Sequence, residues 1–516
     1  MSRGWLRAGS IYVAALFLCF LIFGTSSAQS PSYTNVSASN QLEYSLEDGT
    51  NLEIVEDWFD FDYDLSPFEL GFRYELYQPR ENLRINPDTG ELLDEIDDAS
   101  SQGITYRYAT YRGDGFAVTL GDFYTMFGRG MTLRLYEDRF IRIDNSMDGL
   151  LLEARRWKFR LKALTGRMTS NDPTFFPDIP RTRVDQLHAI DVEADLLDNV
   201  TLGTSFLSNR RDNFQREEFA AFRGEVSLGK VDFYGEYGRI PGPGYDGQGV
   251  YLATSFSMAG LGLSMEYKNY DSLAFRSSDF TDYNNPPALS REHTYALLNR
   301  FPHQLNADNE EGYQLEATWS PDVNTTMLLN TSNTWGKEDE QIFEEYYGEV
   351  ERYFGNKLRT VASFDYRMES ADTHTRNYTP ILELEYFIDD VNSVRTELQH
   401  QHVKGDTIPL PFTEEGFFWL GEFDHEYVLF EYSRAPKWTF SFVNEWTNKK
   451  LPEQKLPGET SDRTRWTFAL VSYNITESNN ISVMYGSRHG GFNCVGGVCR
   501  FEPEFKGLEV KMFTRF

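Results

Sequence analysis

Leu382-Glu383-Leu384-Glu385-Tyr386 puts apolar side chains at every second position and carboxylates between them. A strand sends successive side chains to opposite faces, so this stretch has one greasy and one wet face. The pattern recurs. Tyr313, Leu315, Ala317 and Trp319 alternate with Gln314, Glu316 and Thr318; Val231, Phe233 and Tyr237 alternate with Asp232, Tyr234 and Glu236. Phe222, Val226 and Leu228 oppose Arg223, Glu225 and Ser227, and Ile190, Val192 and Ala194 oppose Asp191, Glu193 and Asp195.

A soluble sandwich alternates too, so the connections must decide. Short ones fall near Arg156-Trp157, Asp198-Asn199, Gly229-Lys230, Ala259-Gly260, Pro321-Asp322, Gly355-Asn356, Asp389-Asp390, Ala435-Pro436 and Thr476-Glu477, where turn-forming residues gather. Between them lie longer polar connections at 168–185, 209–217, 239–247, 271–311, 335–343, 368–378, 404–416 and 447–463, and a last one at 489–505. Short turns on one side and long loops on the other are the rhythm of a transmembrane antiparallel up-and-down β-barrel, with the tight turns periplasmic. Further strands near 39–47, 52–63, 68–78, 103–112, 115–125 and 148–155 bring the expected total to about 24, within about 18–26.

Composition fits this all-β reading. Of 516 residues, 15% are aromatic, yet mean hydropathy is only −0.51. A barrel reconciles the two, because half of each strand faces a wet lumen. The net charge is −30, and removing residues 1–28, which carry Arg3 and Arg7 but no acid, makes it −32. Such a chain repels nucleic acid. Acidic outer loops, a cation-favouring lumen or plain solubility charge all account for it.

Arg3 and Arg7, the apolar run Ile11 to Gly24, and Ser26-Ser27-Ala28 predict a signal peptide over 1–28, cleaved after Ala28, with the barrel occupying 29–516. The run is shorter than the roughly 20 residues that span a bilayer as a helix, which disfavours a retained anchor. Leu18 before Cys19 disfavours a lipoprotein signal. Cys494 and Cys499 remain in the mature chain, and in an oxidising compartment one small disulfide is expected.

Residues 121–147 form the densest unusual patch. Arg129, Arg134, Arg139 and Arg142 sit among Glu137, Asp138, Asp144 and Asp148 in the position of an outer connection. A lumen of about 24 strands is too wide for its own side chains to fill, so this segment is the candidate plug or constriction. The plainer reading is that these arginines pair with adjacent acids and hold the loop. The connection 271–311, with Asn284-Asn285-Pro286-Pro287, His293 and His303, has the length of a lid or plug. His400 and His402 share a strand face and, with Asp406, lack a third metal ligand; an interfacial or loop-packing role is favoured. Acidic residues 88–98 lack the ligand order of a calcium loop. No metal, cofactor or catalytic group is expected, and no G-x-S-x-G occurs.

The closing segment Gly507 to Phe516 places Leu508, Val510, Met512, Thr514 and Phe516 on one face. It resembles the C-terminal signal read by the bacterial barrel-assembly machinery, with Lys511 where glycine is usual. The runs Gly128-Arg129-Gly130 through Tyr136-Glu137-Asp138-Arg139 to Asp144-Asn145, and Asn285-Pro286-Pro287 through Arg291-Glu292-His293-Thr294-Tyr295 to Asn299-Arg300, resemble an uncharacterised porin-like outer-membrane barrel family. The resemblance implies a barrel and carries no substrate. A TonB-dependent transporter is disfavoured, since strands begin near residue 39. The expected function is an outer-membrane channel or transporter for small solutes, with outer-membrane lipid, lipopolysaccharide and the assembly machinery as partners. The alternatives are a non-transporting receptor, adhesin or assembly barrel, and then a barrel enzyme.

Overall fold

A computed structural model describes residues 34–48, 53–78, 101–168, 185–211, 216–242, 246–278, 281–337, 340–371, 375–405, 407–409, 417–419, 421–449, 463–495, 498–502 and 504–516. The export signal with its cleavage point after Ala28, the acidic run 88–98 and Asp406 lie outside the described residues.

Twenty-four antiparallel strands form one sheet, each paired with its neighbours in the chain. The first, Thr34–Glu47, pairs with the last, Phe505–Arg515, in a register running from Ser39 opposite Arg515 to Glu47 opposite Gly507. The sheet is therefore closed. In hydrocarbon, where no water can satisfy an edge, closure is what allows a sheet to span.

Tight turns and both described chain ends share one rim. Ala259-Gly260 joins Asp246–Met258 to Leu261–Asp271 with φ of 40° and 83°, the two positive angles of a type I′ hairpin. Gly115, Trp157, Gly229 and Gly355 take positive φ in other turns on that rim. At the opposite rim the long connections carry small hairpins of their own. Thr125–Phe127 pairs with Leu133–Leu135, Glu137–Asp138 with Ile143–Asp144, Thr407–Pro409 with Phe417–Trp419, and Gly491–Val495 with Val498–Glu502. The strand expected over 115–125 accordingly ends at Phe123, where the chain leaves the wall. Segment 271–311, which reads as unstructured, holds the 3-10 turn Ala296–Asn299.

Thr375–Phe387 shows the two faces most cleanly: buried and exposed residues alternate from Thr375 to Leu384. Leu382, Leu384 and Tyr386 are exposed while Glu383 is buried, so the apolar set faces outward and the carboxylate inward. Phe72, Phe222, Leu252, Leu315, Phe364 and Phe430 continue the exposed apolar surface around the barrel. Two aromatic belts bound it. Toward the long-loop rim, Tyr346, Tyr366 and Tyr378 run across adjacent strands at centroid spacings of 6.1 and 5.1 Å, ending beside His402. At the tight-turn rim, Trp438 lies 4.3 Å from Tyr473 and 5.6 Å from Phe440. Such girdles sit at the two interfaces of a bilayer, where amphipathic rings meet headgroups.

Candidate site in the lumen

Residues 124–146 leave the wall after Phe123 and pack against the inner face of the barrel. Phe127, Met131, Leu133 and Leu135 are fully or almost fully buried. They share one apolar cluster with Leu151, Leu164, Leu187, Leu207, Phe219 and Ile240, which the wall points inward. Burying each such side chain contributes about 1.5–3 kcal/mol before the entropy of ordering the segment is subtracted. This wall is not the uniformly polar lumen of an open pore.

The second connection enters the same cluster through Leu273, Phe275, Tyr283 and Leu289. The two segments bind each other through backbone. Arg134 N–H donates to the Tyr283 carbonyl at 2.8 Å, and Asn285 N–H donates to the Gly130 carbonyl at 3.1 Å. Asn284 donates to the Met131 and Leu273 carbonyls at 2.8 and 3.0 Å and accepts from Phe275 N–H at 2.8 Å. Gly130 has a φ of 89°, and a Cβ there would meet the Asn285 carbonyl at 2.7 Å. Only glycine tolerates both that angle and that approach. The Gly-Arg-Gly and Asn-Asn-Pro-Pro runs, distant in sequence, thus touch inside the barrel.

Charged groups fasten the first segment to the wall. Arg139 bonds Glu137 within the segment at 2.6 Å and Asp60 on strand Glu53–Leu65 at 2.7 Å. Arg142 reaches Glu56 of the same strand at 2.8 Å. Asp144 accepts from Tyr124 Oη at 3.0 Å and from Arg73 at 3.2 Å. Arg129 donates to Tyr251 Oη at 3.0 Å and lies over the Tyr234 ring at 4.3 Å, a cation–π distance. Arg134 lies 4.6 Å over the ring of Tyr136. The plainer expectation, compensation within the loop, holds for Arg139 and Glu137; Arg139 and Arg142 also bind the wall. Sequence reasoning missed Arg73, a buried wall residue that meets Asp60, Glu137 and Asp144 at 2.8, 2.7 and 3.2 Å. Its signal is faint: a lone arginine on the inward face of a strand beside aspartates.

The second segment crosses to the far wall. Arg291 pairs with Glu316, and His293 Nε2 lies 2.9 Å from Glu345. Leu297 N–H donates to Gln399 Oε1 at 2.9 Å, and Gln401 donates to the Leu297 carbonyl at 2.8 Å. Arg300 binds both oxygens of Glu445 at 2.7 and 2.9 Å. His303 stacks on Phe343 at 4.6 Å, with Nε2 3.4 Å from Glu310 and Nδ1 3.6 Å from Glu369. Burial pulls the His303 imidazole down, but the two carboxylates outweigh it, and its pKa stands above the ordinary value. For His293 burial wins over Glu345, and the pKa falls.

His400 and His402 do not converge on one point. They pair separately with Glu426 at 2.7 Å and Asp424 at 2.8 Å on the neighbouring strand. Both share the outward face with Leu398, which matches an interfacial role. Cys494 and Cys499 are register partners in their hairpin; their side chains lie outside the described residues.

Among solved structures the chain is similar to an E. coli P pilus tip assembly intermediate, PapC-PapD-PapK-PapG, with a TM-score of 0.52 and 10% identity over 95% of this chain and 62% of that one. It is also similar to the P pilus usher (PapC) translocation pore, at 0.48 and 10% over 93% and 99% of the two chains. A third likeness is to the outer membrane protein opdK from Pseudomonas aeruginosa, at 0.36 and 11% over 78% and 98%. Identities this low speak to fold alone, that of a closed antiparallel β-barrel. No curated protein matches the sequence. The profile of one family matches residues 10–516, and the chain therefore belongs to the family of unknown function DUF6029.

Proposed function

We propose that this barrel is an outer-membrane channel or transporter for small solutes, with cation preference set by the lumen wall and passage narrowed by the two in-folded segments. The observation that carries the reading lies toward the tight-turn rim. There Glu351, Glu383 and Glu385 share Arg359, and Glu383, Glu397 and Glu431 share Arg395. Five carboxylates against two guanidiniums leave a net negative field facing the lumen, which concentrates cations. Arg129, Arg134, Arg139, Arg142 and Asp144 act in this reading as the constriction above it.

In bilayers under a KCl gradient, the reversal potential is expected on the cation-selective side, and Glu383→Gln with Glu397→Gln is expected to move it toward zero. A wild-type reversal potential on the anion side rejects the selectivity claim. A silent, correctly folded barrel favours the second reading, a receptor or assembly barrel. That reading draws on the apolar cluster shared by both segments and the wall.

The last strand supports the proposal that assembly machinery grips this end. Phe516 N–H still donates to the Ala38 carbonyl at 2.8 Å, so the terminal residue belongs to the closing seam.

A further inference from the structure

At the long-loop end of the lumen, away from the carboxylate-rich wall, three side chains from separate strands meet. His425 lies near the outer end of Glu422–Arg434, Glu445 near the outer end of Trp438–Thr447, and His489 just beyond Asn479–Arg488. One ligand atom from each lies within 4.8 Å of the other two. His425 and Glu445 are 4% and 3% exposed. The imidazoles stand at nearly right angles with centroids 5.7 Å apart, and Trp466 packs on His489 at 4.0 Å.

Two features point to a ligand. Nδ1 of His425 is buried and has no hydrogen-bond partner, which leaves a polar atom with its desolvation unrecovered. Nδ1 of His489 is hydrogen-bonded to the Gly490 carbonyl. A carbonyl can only accept, so Nδ1 carries the proton and Nε2 keeps its lone pair, the arrangement that metal-bound histidines show.

Two imidazoles and one carboxylate form the donor set of a borderline transition-metal ion; calcium and magnesium demand oxygen. Bonds of about 2.0–2.1 Å put donors about 3.3 Å apart, so the three side chains need to draw in by about 1.5 Å at most. One group opposes this. Arg300, from the in-folded segment, holds both oxygens of Glu445 and donates to the Gly490 carbonyl at 2.9 Å. A dication and a guanidinium repel each other and compete for the same carboxylate.

We propose that His425, His489 and Glu445 form a binding site for a divalent ion of the zinc, nickel or copper type, and that the ion displaces Arg300 from Glu445. Occupancy then unfastens one end of the in-folded segment 272–308 from the wall. The site stands on these residues alone and does not depend on conduction.

The test is titration of the purified, chelator-stripped full chain with ZnCl2 by calorimetry and with CoCl2 by visible absorption. The expected result is one ion per chain, with d–d bands of imidazole-bound cobalt. His425→Ala and His489→Ala should each weaken binding at least about tenfold. His400→Ala with His402→Ala should leave it unchanged, and Arg300→Gln should tighten it. Heat-modifiable gel mobility confirms that each variant keeps its barrel. Absence of binding by the wild type, or binding untouched by His425→Ala and His489→Ala, overturns the site. Unchanged or weaker binding by Arg300→Gln overturns the displacement.

Discussion

His303 joins the second segment to a group of buried charges on the wall. Lys268 and Glu310 are wholly buried and 2.5 Å apart, and Glu369 is buried on the far side of the imidazole. Beside the imidazole one ammonium faces two carboxylates, with Arg367 also acting on Glu369, and a proton on His303 sits between Glu310 and Glu369. An uncompensated buried charge is costly, which is the reason its pKa is raised. A group whose folded pKa exceeds its unfolded value stabilises the fold fully below the unfolded value, and loses that contribution as pH rises through the folded one. Hydrogen exchange of residues 296–308 is therefore expected to be slow near about pH 6 and faster at about pH 9 after correction for intrinsic rates. His303→Gln should remove the difference. Equal protection at both pH values in the wild-type chain would count against the protonated cluster. Nothing in the sequence marks His303 for this role, since Lys268, Glu310 and Glu369 come from three strands that only the fold assembles.

At the scale of elements, what is local was legible and what is long-range was not. The tight turns declare themselves through residues such as Ala259-Gly260 and Ala435-Pro436, and the strands through alternation, because both effects act between near neighbours. The expected count of about 24 strands agrees with the 24 found. The in-folded segments were legible as candidates through their length and their crowded arginines, whereas their landing sites were not. Leu187, Leu207, Phe219 and Ile240 point inward near the outer ends of their strands. Apolar residues on both faces there are the available sign that something packs inside, and outward alternation masks it: the inward Leu187 and Ala189 run straight into the outward Ile190 and Val192. Among the small hairpins, the register that sets Cys494 opposite Cys499 supports the proposal that they form a disulfide. Mass spectrometry of the unreduced chain should find the peptide that holds both cysteines lighter by two hydrogens. Alkylation of both thiols without prior reduction would exclude it.

At the scale of the whole molecule, the proposed channel is an unusual one. Its wall closes like that of any outer-membrane barrel, but its upper lumen carries an apolar cluster, and two chain segments span it from Glu56 and Asp60 on one side to Gln399 and Glu445 on the other. A wall of this many strands does not require such filling for its own closure, because its backbone bonds are complete from strand to strand. The most direct measurement is single-channel conductance in planar bilayers of the wild type and of a variant in which residues 124–146 are replaced by a short Gly-Ser link, both with heat-modifiable gel mobility. The account predicts a larger unitary conductance in the variant, since the narrowing it removes lies in the conducting path. Equal conductance from two folded barrels would contradict it.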